Sequence, residues 1–114
     1  MKTLLSLSAL CLTLLSSSVH ASDRAETGWD LIEKGALVVD VRTPAEFEQG
    51  HLDNAINYPL SEVATHFAKI DKDTPIILYC RSGNRSGQAY QFLRDQGFTQ
   101  IHNAGGLIEM QESQ

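Results

Sequence analysis

Most of the reactive chemistry of this 114-residue chain lies in one short segment, Cys80-Arg81-Ser82-Gly83-Asn84-Arg85-Ser86. It holds a thiol, two guanidinium groups and two hydroxyls, with no acid, in a protein of formal net charge −5. Gly83 takes positive φ without steric cost, and Asn84 tolerates it better than most residues. A tight arc of that kind turns successive backbone N–H groups inward as an anion-binding nest. The helical pattern that begins at Arg85 would add the positive end of its dipole at the same place. A thiol at the base of such an arc ionises readily, because helix N-termini and neighbouring cations bring a cysteine pKa from ~8.5 to about 3.5–7.5. Cys80 is therefore the candidate nucleophile, and Arg81, Ser82, Gly83, Asn84 and Arg85 form the candidate anion cradle.

The competing reading of Cys80 is a buried, inert thiol at the end of a strand. Cysteine usage bears on the choice. Lys2, the apolar residues 4–15 and the closing Val19-His20-Ala21 have the layout of an export signal cleaved after Ala21. The apolar stretch is shorter than the ~20 residues of a spanning helix, so no stable membrane insertion is expected after cleavage. A lipid-bearing role for Cys11 is disfavoured by Leu10, which stands where that signal wants a small residue. Cleavage would leave Cys80 as the sole thiol in an oxidising, periplasmic compartment, without an internal disulfide. His51, His66 and His102 stand at no recognisable spacing from it, which argues against a Cys–His pair.

The remaining residues 22–114 are enough for one small domain and no second core. They carry 8 Lys and Arg against 14 Asp and Glu, which argues against nucleic acid or an anionic membrane as partner. No Cys/His cluster has metal-ligand spacing, so no metal or organic cofactor is expected. Small size and the lack of an apolar stripe favour a monomer.

The elements that must position the loop are legible from pattern. The near-continuous apolar runs 37–41 and 75–79 fit strands buried on both faces of a parallel sheet, with shorter strands at 55–57 and 100–102. Between them lie helical patterns at 25–33, 44–49, 61–68 and 85–95. Thr43-Pro44-Ala45-Glu46 reads as an N-cap, a proline at the first helical position and an acidic first turn. Gly97 is placed for a left-handed stop. Ala89, Phe92 and Leu93 share helical spacing and are expected to face the sheet. Trp29 and Phe47 are expected in the core, and Gly105-Gly106 at a sharp turn of close backbone approach. Alternating strands and helices indicate an α/β domain whose ligands bind beyond the carboxyl ends of the strands, where the segment after Tyr79 emerges.

The ordered set Val39-Asp40-Val41-Arg42, Glu46-Phe47, Gly50-His51-Leu52, Ala55-Ile56-Asn57-Tyr58-Pro59, the loop from Cys80 to Ser86 and Gly105-Gly106 resembles the single-domain rhodanese family, most of all its exported phage-shock branch. The resemblance runs from about Glu26 to Met110. It implies a three-layer α/β/α fold with a small, mostly parallel central sheet. It also implies a thiosulfate sulfurtransferase in which Cys80 carries a persulfide and passes sulfur to cyanide or a thiol. Arg81 and Arg85, with the loop N–H groups, would hold the anionic donor, and Asp40 and Arg42 would support the site. Two residues depart from the family pattern. Asn54 replaces a glycine in a left-handed turn, and Met110 stands where tryptophan is frequent, which implies a softer or more open pocket wall. Phosphatases and arsenate reductases of similar fold use Cys-x5-Arg, whereas four residues separate Cys80 from Arg85 here, a shorter arc that leaves less room for a phosphoryl group. A non-catalytic module would be expected to lack the cysteine, and a redox thiol would want a resolving partner.

Overall fold

Four parallel strands, in the lateral order Ile56–Asn57, Leu37–Asp40, Ile76–Cys80 and Ile101–Gly106, bring their carboxyl ends to one edge of a sheet, and the loop that follows Cys80 leaves from that edge. The computed structural model describes residues 22–114; the expected leader, with Cys11, lies outside the described residues. The strands are β1 (Leu37–Asp40), β2 (Ile56–Asn57), β3 (Ile76–Cys80) and β4 (Ile101–Gly106). The helices are α1 (Asp23–Glu33), α2 (Pro44–Gln49), α3 (Val63–Phe67), α4 (Asn84–Asp95) and α5 (Leu107–Glu112), with a 3-10 turn at Leu60–Glu62.

The central strand β3 is buried along its whole length, as its unbroken apolar run requires. Alternation then divides its side chains between two layers. Ile76, Leu78 and Cys80 face Val63, Phe67, Ala89, Leu93 and Phe98 on the α3/α4 side. Ile77 and Tyr79 face Ala25, Ala104 and Met110 on the α1/α5 side. Each fully buried aliphatic side chain contributes about 1.5–3 kcal/mol relative to exposure, so the two layers hold the sheet edge rigid beneath the loop. The three-layer α/β/α expectation is met, and the sheet is parallel throughout.

Local chemistry sets the element ends. Thr43 Oγ1 accepts the Glu46 N–H and Glu46 returns a bond from the Thr43 N–H, a complete capping box with Pro44 in the first turn. Gly97 at φ 99° closes α4, and Asn54 at φ 65° takes the left-handed turn in place of glycine. The segment expected to be helical at 61–68 begins instead as the 3-10 turn, because Pro59 precedes it and no side chain caps its start.

Other features also differ from the sequence expectation. Strand β4 continues past His102 to Gly106, and α5 follows it directly; both are hidden by the Gly105-Gly106 pair, which reads as a sharp turn. Those glycines do permit the expected close approach, since a Cβ on Gly106 would overlap the carbonyl of Arg81. Phe92 is 37% exposed, because Ala89 and Leu93, one turn apart, fill the contact with the sheet and rotate it to the flank. Met110 is a core residue at 0% exposure rather than part of a pocket wall. Its carbonyl accepts the Trp29 indole N–H at 2.7 Å, and its side chain packs where Gly28 leaves space. Trp29 and Phe47 are half-buried, with Phe47 stacked on His51 at 3.6 Å between ring centroids.

Gly106→Ala is expected to destabilise the fold by about 1–3 kcal/mol, as over-packing against fixed backbone does. A lowered thermal unfolding midpoint checks this.

Candidate active site

The sulfur of Cys80 serves as the N-terminal cap of α4. Helix α4 starts after Gly83, whose φ of 98° reverses the chain, and no oxygen-bearing side chain caps it. Instead Cys80 Sγ accepts the N–H of Ser86, the third residue of the helix, at 3.4 Å and that of Gly83 at 3.0 Å. The Ser86 hydroxyl lies 3.3 Å from the same sulfur and 2.8 Å from Asn103 Oδ1. The thiol is free and 1% exposed. Burial pushes its pKa up, but the Ser86 hydroxyl and the N–H groups of Ser86, Ser82 and Gly83 together outweigh it, so the net shift is downward. Donors aimed at a buried sulfur favour its anion, the form that attacks.

The two loop arginines are not equivalent. Arg85 makes a two-point bond to Glu46, Nη1 to Oε1 at 2.8 Å and Nη2 to Oε2 at 3.0 Å. The same carboxylate takes the capping-box bonds of Thr43, so one glutamate joins the start of α2 to the rim of the loop. Arg85, first, and then the Thr43 N–H hold Glu46 down to about 2. The charge of Arg85 is thus shared with an acid that the sequence reading had placed only at a helix cap. Arg81 is exposed and makes no ion pair among the described residues. Ser82 and Asn84 are exposed on the arc, and Gly83 is buried within it. The backbone N–H groups of Asn84 and Arg85, at the first turn of α4, have no acceptor among the described residues.

Asp40 and Arg42 pair with each other in the interior, Nη2 to Oδ2 at 2.7 Å and Nε to Oδ1 at 3.0 Å. Arg42 also donates to the Gly50 carbonyl, and its guanidinium lies 5.8 Å from the centre of the Tyr79 ring. The Tyr79 hydroxyl accepts the Leu52 N–H, and burial pushes that phenol well above its ordinary value. These two residues brace the turn after α2 and make no hydrogen bond to the cysteine loop. His51 bonds the Phe47 carbonyl, His66 the Glu62 carboxylate and His102 the Arg24 carbonyl, so none pairs with Cys80.

Several contributors lay outside the sequence reading. Asn103 donates to the Gly83 carbonyl at 3.1 Å while its oxygen accepts from Gly105 N–H and competes with Cys80 Sγ for the single proton of the Ser86 hydroxyl. It sits at the register shift between β3 and β4, a bulge no local pattern announces. Arg24 and Glu109 form a second pair across the loop's outer wall. Arg24, first, holds Glu109 down to about 2, with help from Ser22 and the Gly106 N–H and against desolvation. Ser86 closed the loop motif, but its hydroxyl's aim depends on α4 starting one residue earlier than expected.

A chain with this geometry matches known proteins throughout. Residues 24–112 match the rhodanese-like domain family. The chain belongs to the rhodanese family. It is 44% identical over 74 residues to the thiosulfate sulfurtransferase PspE of Escherichia coli, covering 63% of this chain and 71% of that one. Among solved structures, the rhodanese with anions from E. coli is 40% identical with a TM-score of 0.61, covering 66% of this chain and 91% of that one. The human single-domain sulfurtransferase TSTD1 is 30% identical with a TM-score of 0.65, covering 75% and 89%.

Ser86→Ala is expected to raise the Cys80 ionisation midpoint by about one unit, as loss of a charge-assisted hydrogen bond worth ~1.5 kcal/mol would. The pH dependence of alkylation by iodoacetamide measures it. Glu46 and Glu109 are depressed in the folded state, so their stabilisation is present above the ordinary carboxylate range and is lost as pH falls toward about 2. The thermal midpoint should therefore drop on acidification from about 4.3 downward, and less steeply in the Glu46→Gln, Glu109→Gln double variant.

Proposed function

We propose that this rhodanese is a thiosulfate sulfurtransferase in which Cys80 is the catalytic residue. The observation that carries the reading is the buried sulfur of Cys80, ringed by N–H and hydroxyl donors at the start of α4. In the first step the thiolate attacks the outer, sulfane sulfur of thiosulfate. A new S–S bond forms to Cys80, the S–S bond of thiosulfate breaks, and its electron pair leaves on sulfite. In the second step the terminal sulfur of the Cys80 persulfide is attacked by cyanide or an acceptor thiol(ate), and the thiolate is regenerated. Neither step moves a metal or an organic cofactor.

The loop is suited to both steps. The unpartnered N–H groups of Asn84 and Arg85, with the helix dipole behind them, offer donors to sulfonate oxygens and to the charge on a persulfide. Arg81, without an acid partner among the described residues, supplies the uncompensated charge; Arg85 contributes through a guanidinium held in place by Glu46. The anions in the E. coli rhodanese structure and the names of the sulfurtransferase relatives support the same assignment. The arrangement of Arg85 weighs against a phosphatase, since the arginine that would grip a phosphoryl group is turned to a carboxylate. Export to the periplasm is part of the proposal. Its support is the leader-like pattern of residues 1–21.

Intact mass after incubation with thiosulfate tests the reading. The wild-type chain should gain one sulfur atom, and Cys80→Ser should gain none while keeping its fold. No gain in the wild type, with robust phosphate release from an aryl phosphate, would overturn it. Arg81→Ala is expected to raise the KM for thiosulfate about tenfold with a smaller effect on kcat, the loss of one charge-assisted contact of ~1.5 kcal/mol in binding. Steady-state thiocyanate formation checks that split.

A further inference from the structure

The peptide unit that joins Ser82 to Gly83 is held from both sides. Its N–H, that of Gly83, makes the shortest hydrogen bond to Cys80 Sγ, at 3.0 Å. Its carbonyl, that of Ser82, accepts from Arg24 Nη2 at 3.1 Å. A trans peptide is planar with its C=O and N–H pointing in opposite directions, so fixing the oxygen fixes the aim of the hydrogen. Arg24 comes from α1, 58 residues before its acceptor in the chain. It is itself locked by Glu109 of α5, Nε to Oε2 and Nη2 to Oε1, both at 2.8 Å. Glu109 is in turn fixed by bonds from the Ser22 hydroxyl and the Gly106 N–H.

The guanidinium lies against two glycines. A Cβ on Gly83 would come within 2.7 Å of Arg24 Nη2, and one on Gly105 within 2.7 Å of its Nε. Both glycines have positive φ, 98° and 103°. The freedom that lets Gly83 adopt this turn also makes rotation of the Ser82–Gly83 peptide cheap. Such a rotation would present a carbonyl, rather than an N–H, to the sulfur anion.

We infer that Arg24 is a positioning residue for the Cys80 thiolate, acting through the Ser82–Gly83 peptide, with Glu109 as its anchor. Arg24 pulls on the Ser82 oxygen, which holds the Gly83 N–H toward the sulfur and polarises it, as linked hydrogen bonds do. The Glu109 side-chain hydrogen bond and, to a lesser degree, the Cys80 charge both raise the affinity of Arg24 for its proton, in keeping with a cation coupled to the site. The inference deepens the proposed function and rests on Cys80 reacting as a thiolate. It adds a requirement that the loop motif alone does not contain: helices from the two ends of the domain must meet over the loop.

The test is the pH dependence of Cys80 alkylation in wild type, Arg24→Ala, Arg24→Lys and Glu109→Gln, at low salt and at about 1 M salt, where the Debye length is ~3 Å. Arg24→Ala should raise the ionisation midpoint by about one unit, and the shift should persist in high salt because it arises from peptide orientation. Arg24→Lys, which keeps a donor for the Ser82 oxygen, should recover part of the shift, and Glu109→Gln should show an intermediate one. An unchanged midpoint in Arg24→Ala would overturn the inference, as would a shift that disappears in high salt, which would mark Arg24 as a through-space charge. If Arg24→Ala does not fold, the Lys and Gln variants decide, because both must differ from wild type in the same direction. Alkylation needs no sulfur donor, so a wild type that fails to take up sulfur from thiosulfate would sink the proposed activity separately.

Discussion

A sulfur atom removed from water must be either a neutral thiol or a well-solvated anion, and the carboxyl edge of this sheet is organised around making it the second. Cys80 is fully enclosed, a position in which desolvation alone would suppress ionisation. The fold answers by ending β3 at Cys80 and turning the N–H groups of Gly83, just before α4, and of Ser86, its third residue, onto the sulfur. The unsatisfied N–H groups that every helix presents at its start are usually met by a side-chain oxygen or by water. Here the Cys80 sulfur itself meets one of them. The donors that the sulfur caps favour its anion, so the start of α4 and the ionisation of Cys80 are coupled.

The rest of the edge protects that arrangement by separating charges into pairs with distinct tasks. Asp40 with Arg42 fills the interior between β1 and the turn after α2, where an unpaired charge would be costly. Glu46 with Arg85 ties α2 to the rim of the loop, and Arg24 with Glu109 ties α1 to α5 across its outer wall. Asn103, at the β4 bulge, holds the Gly83 carbonyl from below. After these pairings, the proposed hold of the loop on an anion would rest mainly on backbone N–H groups and Arg81. Backbone donors placed by rigid elements need little reorganisation when charge develops, which makes them effective in stabilising a transition state.

How much of this was legible in the sequence follows from the range of each interaction. The alternation of apolar runs and helical patterns gave the order of strands and helices, because both periods are local. The loop was readable because its cysteine, glycine and arginines are contiguous. The partner of Arg85 was not, since Glu46 lies 39 residues away and its capping-box signature already explained it. Arg24 and Glu109, 85 residues apart, carry no spacing signal at all. Helix α5 was obscured by the glycines before it, and Met110 was misread because the space it fills is created by Gly28 on a different helix. The sequence thus specifies the candidate nucleophile and its frame through local rules, while the pair behind the loop forms only when the first and last helices of the domain meet.

The most direct measurement of the central claim is the ultraviolet absorbance of the Cys80 thiolate in the native protein, followed as a function of pH. Capping of α4 by the sulfur predicts an ionisation midpoint below the ordinary thiol value of ~8.5. A midpoint at or above that value would show that burial prevails over the donors, and would contradict the account.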